Sequence, residues 1–366
     1  MPTNESRLLV NPSIPDQTPD NTVIFRGDGE PKPPEALIRR LAEISCKIEQ
    51  DSYSQGGIVE QLEKRFAQML GKEAALFFPT GTMANHLAIR KLCGVNARAV
   101  VPEQSHLYHD SGDCVSRLSN INLIPLAKGR PCFNQEELEE AFDQARSGRV
   151  STPIGAVMIE SPVRRQMGQV VPFDQIQEMT DFCRGNNMPT HLDGARLYMM
   201  SAATGISPQE YSQCFDTVYV SLYKYFGAPF GAILAGTSEF VEGLFHDRRM
   251  FGGGLASSWV AAALALNGAE DFEARFQDAM AQGRDLIAKV NALSGISIEA
   301  YENGSNIYPV AFDSHVDIKK CASALRDEGV ILPTSETGAQ MTINTTLLRK
   351  ENSVILQAFK YALNRE

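Results

Sequence analysis

VYVSLYKYFGAPFGAILAG, residues 218–236, decides the fold. It holds two short apolar runs, Val218-Tyr219-Val220 and Ala232-Ile233-Leu234, on either side of a loop that carries Lys224. Runs this short, bounded by Gly and Pro, read as strands buried on both faces. Lys224 sits among Tyr223, Tyr225, Phe226 and Pro229. A lysine in apolar surroundings has a depressed pKa and can act as a nucleophile. The same pattern also fits a lysine that lays its stem on an aromatic rim and keeps its ammonium in water.

Upstream, the same rhythm recurs. Short apolar runs at Ala75–Phe78, Ala99–Val101, Ile121–Ile124 and Ala156–Ile159 alternate with stretches of helical period. Such alternation predicts an α/β fold with a mainly parallel sheet. Before it, one helix is predicted after Pro33-Pro34, with Leu37, Ile38, Leu41 and Ile44 on one face, and another through Val59, Leu62, Phe66, Met69 and Leu70, ending at Gly71. After residue 255 the period lengthens into helices through Ala261–Leu266 and Phe272–Val290. A smaller α+β section closes the chain, its clearest unit being a helix over Ile318–Arg326 and a strand over Val330–Leu332. The division expected is a polar arm at 1–21, a first piece of the small domain at 22–44, a large domain at 45–255, and the rest of the small domain at 256–366.

In an open α/β sheet, ligands sit beyond the carboxyl ends of the strands. Two further segments occupy such places. FPTGTMAN (78–85) follows a strand and opens a helix. Its glycine lets an anion approach the backbone, and the helix start offers free N–H groups; an ordinary turn capped by Thr80 or Thr82 reads equally well. HLDGARL (191–197) puts Asp193 at a strand end ahead of a glycine, where its carboxylate can reach into a cleft or merely cap a helix.

The chain has 366 residues and a net charge of −10, with a pI of about 5.2. That balance argues against nucleic acid or an anionic membrane as the main partner, since both attract positive surfaces. Residues 1–21 lack the basic and apolar regions of a secretory signal, and no apolar run is long enough to span a bilayer. The seven cysteines are scattered, with no CxxC pair. Neither a zinc site nor a disulfide framework is therefore expected, and a reduced cytoplasm fits best.

Taken in order, a phosphate-type turn, a strand-end aspartate and a loop lysine resemble fold-type I enzymes that depend on pyridoxal 5′-phosphate (PLP). Within them the chain resembles the threonine aldolase and aromatic amino-acid β-eliminating lyase group, over roughly residues 23–350. FPTGTMAN, HLDGARL, SLYKYFGAPFGAILAG (221–236) and the GGG at 252–254 carry the resemblance. It implies that Lys224 holds PLP as a Schiff base and that Asp193 pairs with the ring nitrogen. Gly81 and Thr82 would hold the phosphate with help from Ser221, and His106 would stack on the ring. Arg196 would lie beside the cofactor, and Tyr53 would be donated across a dimer interface. The resemblance further implies a small amino-acid substrate and a homodimer or homotetramer with the site at the subunit interface.

The substrate half departs from the family pattern. Gly27 stands where a serine precedes the early aspartate, and Glu160 is followed by Ser161-Pro162-Val163-Arg164-Arg165 instead of Asn-Thr-His-Asn. No arginine follows Gly254 closely, and Met341–Thr345 occupies the place of a C-terminal arginine that grips the substrate carboxylate. Because a carboxylate favours a planar guanidinium, Arg164 or Arg165 is the expected replacement. The leading expectation is a lyase that splits a β-hydroxy-α-amino acid into glycine and an aldehyde. A β-eliminating or transaminase-like enzyme, or a PLP-binding protein without catalysis, are the alternatives.

Overall fold

The computed structural model describes residues 21–44 and 47–364. Most of the 1–21 arm, together with Cys46, lies outside the described residues. Among the described residues the strands in chain order are β1 (Val23–Ile24), β2 (Ala74–Phe78), β3 (Arg98–Pro102), β4 (Asn122–Leu126), β5 (Ala156–Glu160) and β6 (Thr190–Asp193), then β7 (Thr217–Ser221), β8 (Ala232–Gly236), β9 (Ile296–Ile298), β10 (Ile307–Phe312), β11 (Val330–Ile331) and β12 (Ala339–Thr342).

Seven of them form one sheet in the order β2-β8-β7-β6-β5-β3-β4. β4, β3, β5, β6 and β7 run parallel, and β8 is reversed between β7 and β2. β5, β6, β7 and β8 are buried along their whole length. This explains why they read as unbroken apolar runs instead of alternating ones. The reversal of β8 follows from its loop: residues 222–231 are too few for the helical crossover a parallel return requires.

Helices cover both faces. Gly57–Leu70 ends at Gly71, which takes a left-handed conformation (φ 63°) and returns its N–H to the last turn. Gly81–Cys93 starts from Thr80, whose hydroxyl accepts the Met83 N–H at 3.2 Å. The helix Pro34–Glu43 has no buried residue, and Ile38 on it is 68% exposed. The apolar face expected there is therefore only partly covered within one chain, with Leu41 and Ile44 packed on the core.

A three-stranded antiparallel sheet, β12-β10-β9, and a parallel pair, β1 with β11, make up the smaller section. Early residues thus meet late ones: Val23 and Ile24 pair with Val330 and Ile331. Among the described residues no cysteine is in a disulfide, and no helix is long and apolar enough to cross a membrane.

One cluster fixes the loop after β7. Tyr225 and Phe226 are buried, and the Phe226 ring meets Phe66, Tyr198 and Phe272 at centroid distances of 5.2, 5.1 and 5.0 Å. Burying such a side chain stabilises the fold by about 1.5–3 kcal/mol, and each edge-to-face pair adds about 0.5–1.5 kcal/mol. These two residues anchor the loop backbone immediately after Lys224.

Candidate active site

Five chain segments end at one place, because their strands, β2, β3, β5, β6 and β7, run in the same sense and finish at the same edge of the sheet, β2 lying across the reversed β8. A cavity of about 560 Å³ lies there, within the range of small-molecule sites. It is lined by Gly81 and Thr82 after β2, His106 after β3, Glu160 and Arg164 at the end of β5, Asp193 and Arg196 at the end of β6, and Lys224 after β7.

Burial lowers the pKa of Lys224 to about 8, with Arg196 adding to the shift and Asp193, Asp28 and Glu160 opposing it. At that value a sizeable fraction of the amine is neutral near pH 7–8, as a carbonyl-attacking nucleophile requires. The side chain is half-buried and lines the cavity, with its amine 6.0 Å from the centre of the Tyr223 ring.

Asp193 is 2% exposed. Its Oδ1 accepts the Ala195 N–H at 3.1 Å and its Oδ2 accepts the Asn85 Nδ2–H at 2.5 Å. Arg196 donates from Nε to Asp28 Oδ1 at 2.8 Å, with both side chains largely buried. Burial alone would depress this guanidinium's pKa, but Asp28 and Glu160 outweigh it and the net shift is upward. The pair is thus largely shielded from solvent.

Glu160, paired in register with Asp193 on the neighbouring strand, is 3% exposed. Burial, and then the charge of Asp193, push its pKa up to about 7, against the opposing pull of two backbone donors and Arg196. Those donors are the His106 N–H at 2.5 Å and the Arg164 N–H at 3.1 Å. One carboxyl therefore ties together the two loops that carry His106 and Arg164.

Arg164 and Arg165 part company. They lie in a single 3₁₀ turn, Arg164–Gln166, in which successive side chains point about 120° apart. Arg164 lines the cavity, whereas Arg165 pairs with Asp110 at 3.2 Å and does not line it. Ser221 is fully buried at the end of β7, outside the lining, with its hydroxyl lacking a hydrogen-bond partner. Tyr53 also lies outside the lining. Its ring is 46% exposed and the Arg249 guanidinium stacks on it at 4.3 Å.

Asp28, Asn85, Glu160 and Tyr219 also line the cavity and were given no role from the sequence, although Asn85 closes FPTGTMAN and Asp28 and Glu160 stand at family positions. Glu160 could have been found by the rule that found Asp193, since both close a buried parallel strand. Asn85 lies four residues beyond Gly81, one helical turn on, and so shares its face. Tyr219 leaves no such signal; an apolar strand hides it.

The Gly81 turn is shaped by Tyr219. A Cβ at Gly81 would sit 2.0 Å from the Tyr219 hydroxyl oxygen, a separation no real contact tolerates. Gly81→Ala is therefore expected to displace the turn or the phenol and to weaken PLP binding at least about tenfold. Equilibrium dialysis checks this; unchanged affinity would show that the turn does not touch the phosphate.

The residues present fit PLP. The glycine turn with its helix N-terminus suits a phosphate, the amine of Lys224 suits an aldehyde, and Asp193 suits a ring nitrogen. His106 adds a buried, unpartnered Nδ1. An open, mostly parallel seven-stranded sheet with one reversed strand and these groups beyond its carboxyl edge is the architecture of fold-type I PLP-dependent enzymes.

The chain belongs to the β-eliminating lyase family, whose model matches residues 25–312. It is 26% identical to a probable low-specificity L-threonine aldolase 2 of Arabidopsis thaliana, over 85% of this chain and 88% of that protein. The low specificity L-threonine aldolase of Escherichia coli K12 is 27% identical over 69% of this chain and 74% of its own. A crystal structure of a putative L-allo-threonine aldolase from Listeria monocytogenes superimposes with a TM-score of 0.77 at 26% identity, covering 95% of this chain and 98% of that one.

Proposed function

We propose that this chain is a PLP-dependent lyase that cleaves a β-hydroxy-α-amino acid into glycine and an aldehyde. The convergence of the Lys224 amine and the Asp193 carboxylate on one cavity carries the reading. When bound, PLP supplies an electron sink for the carbon that loses a bond. Lys224 would offer the amine that attaches it, Asp193 would accept from the protonated ring nitrogen, Gly81 and Thr82 would present backbone donors to the phosphate, and His106 would cover the ring. Ser221 would help that cradle, and Arg196, held by Asp28, would lie beside the ring. His106, or a water next to it, takes the proton from the β-hydroxyl oxygen of the substrate. Since Lys224 also has the basicity to take a proton from Cα, β-elimination to a keto acid and ammonia is the second reading.

Arg164 is the group proposed to grip the substrate α-carboxylate. Replacing it with Ala is expected to lower kcat/KM by about 10–100-fold, mostly through KM, as fits a charge-assisted hydrogen bond worth about 1.5–3 kcal/mol. Arg165→Ala, losing only an exposed ion pair, is expected to stay within about twofold. Equal kinetics in both variants would remove the assignment.

The chain is further proposed to act in the cytoplasm as a homodimer or homotetramer, with a large domain over 45–255 and a small one from 22–44 and 256–366. Tyr53 is proposed to serve a neighbouring subunit's site, a reading that its exposed ring supports. Sedimentation analysis tests the assembly. The activity is tested by incubating PLP-loaded protein with L-threonine, L-allo-threonine and phenylserine. Glycine with aldehyde supports aldol cleavage; keto acid with ammonia transfers the assignment to β-elimination; no product from any of them rejects both.

A further inference from the structure

Behind Asp193 runs a chain of hydrogen bonds that the proposed chemistry does not use. Asn85 donates from Nδ2 to Asp193 Oδ2 at 2.5 Å, and its Oδ1 lies 2.9 Å from His191 Nε2. The other ring nitrogen, Nδ1, lies 2.8 Å from Thr217 Oγ1. All of these side chains are buried, His191 completely.

The direction of every link follows from the chemistry of the groups. A flipped Asn85 would set its carbonyl oxygen against a carboxylate oxygen, acceptor on acceptor, so the amide N–H must face Asp193. The Asn85 oxygen can then only accept, which places the imidazole proton on Nε2. Burial pushes the pKa of His191 down to about 4, against the opposing charge of Asp193, so the ring is neutral and carries one proton. Its Nδ1 is therefore an acceptor, and the Thr217 hydroxyl donates to it. The alternative acceptor for that hydroxyl, the Thr190 carbonyl, is more distant at 3.5 Å.

We infer that Thr217, His191 and Asn85 form a one-way donor relay that fixes the orientation of Asp193 and leaves it a pure acceptor toward the cavity. Links that all point the same way polarise one another, so the bond that reaches Asp193 is stronger than an isolated amide would make it. The strands supply the spacing: His191 and Thr217 are register partners on β6 and β7, and His191 and Asp193 point to the same face of β6. Neither His191 nor Thr217 lines the cavity, so they act through Asn85 as positioning residues. The assignment rests on Asp193 being the partner of the PLP ring nitrogen.

The test resolves PLP from the purified protein, rebinds it by equilibrium dialysis, and follows thermal unfolding of the cofactor-free form of each variant. Asp193→Ala is expected to weaken PLP binding by about a hundredfold, and Asn85→Ala by about tenfold. Thr217→Val keeps the shape but removes the donor and is expected to weaken binding about threefold, with Thr217→Ser restoring it. Thr180→Val removes a buried hydroxyl bonded only within its own helix, to the Ile176 and Gln177 carbonyls, and is expected to leave PLP affinity unchanged. Parent-like affinity in both Asn85→Ala and Thr217→Val, with Asp193→Ala impaired, overturns the relay and spares the reading of Asp193. Parent-like affinity in Asp193→Ala overturns both. A loss in Thr217→Val that Thr180→Val matches at equal loss of stability makes the effect one of general packing and also overturns the relay.

Discussion

Lys224→Ala is expected to abolish the visible absorbance that lysine-bound PLP gives the protein and to reduce kcat by about 10²–10⁴-fold, the usual worth of a positioned proton-transfer group, before the lost covalent attachment is added. The expectation draws on the position of the side chain as much as on its identity. Its amine opens into a cavity that also holds Asp193 and Arg196, and its pKa is brought down to about 8, chiefly by burial. The variant should fold, since the aromatic anchors of the loop, Tyr225 and Phe226, are untouched. Its folded form should if anything gain stability at neutral pH. A lysine whose pKa is depressed on folding costs stability at every pH below its folded value, and the cost fades as pH rises from about 8 toward the unfolded value of 10.5. Absorbance scans and single-turnover kinetics on PLP-loaded protein check the first part, and thermal unfolding of the cofactor-free forms at pH 7 checks the second. Retained absorbance in the variant would show that another amine carries the cofactor.

Gly268→Ala is expected to have the largest effect on folding. By helix propensity alone the change should help, since Ala exceeds Gly by about 1 kcal/mol inside a helix, and Gly268 lies within the helix Trp259–Ala269. Packing reverses the sign. A Cβ there would sit 1.9 Å from the Phe226 carbonyl oxygen and 2.5 Å from its carbon. Both atoms are backbone, held by a ring buried among four aromatic neighbours, Phe66, Tyr198, Tyr225 and Phe272, and cannot swing aside as a flexible side chain would. Overpacking of this kind costs about 1–3 kcal/mol, and a backbone clash belongs at or above the upper end. Because Phe226 is only two residues past Lys224, the displaced loop should also lose affinity for PLP. Urea unfolding together with a PLP titration measures both. A more stable variant would mean that the helix can slide outward, and that the loop is less firmly anchored than its ring contacts indicate.

The sheet was legible because its strands are buried on both faces. The runs read at 75–78, 99–101, 156–159, 218–220 and 232–234 each fall inside an observed strand, short by a residue or two where a polar or small residue closes it. The strand read at 121–124 begins at Asn122 and continues through Pro125 to Leu126, since an edge position tolerates a proline that cannot donate. Ile38 went the other way: its helical spacing predicts a covered face, yet the chain leaves it exposed.

For the site, sequence alone determined which local pieces could do chemistry. A glycine turn ahead of a helix, a carboxylate closing a strand and a lysine among aromatics are each written within a few neighbouring residues. Only the tertiary structure decided which pieces meet. Glu160 becomes a tie between His106 and Arg164 because β5 lies between β3 and β6 in the sheet order. Arg164 enters the cavity and Arg165 leaves it because a single tight turn separates their directions. Tyr219 closes over Gly81 because β7 lies one strand away from β2, a neighbourhood set across more than a hundred residues of chain by non-local pairing. Side-chain periodicity carries information over one or two turns; strand order and the register of parallel neighbours are fixed by packing of the whole sheet, and the cavity is their product.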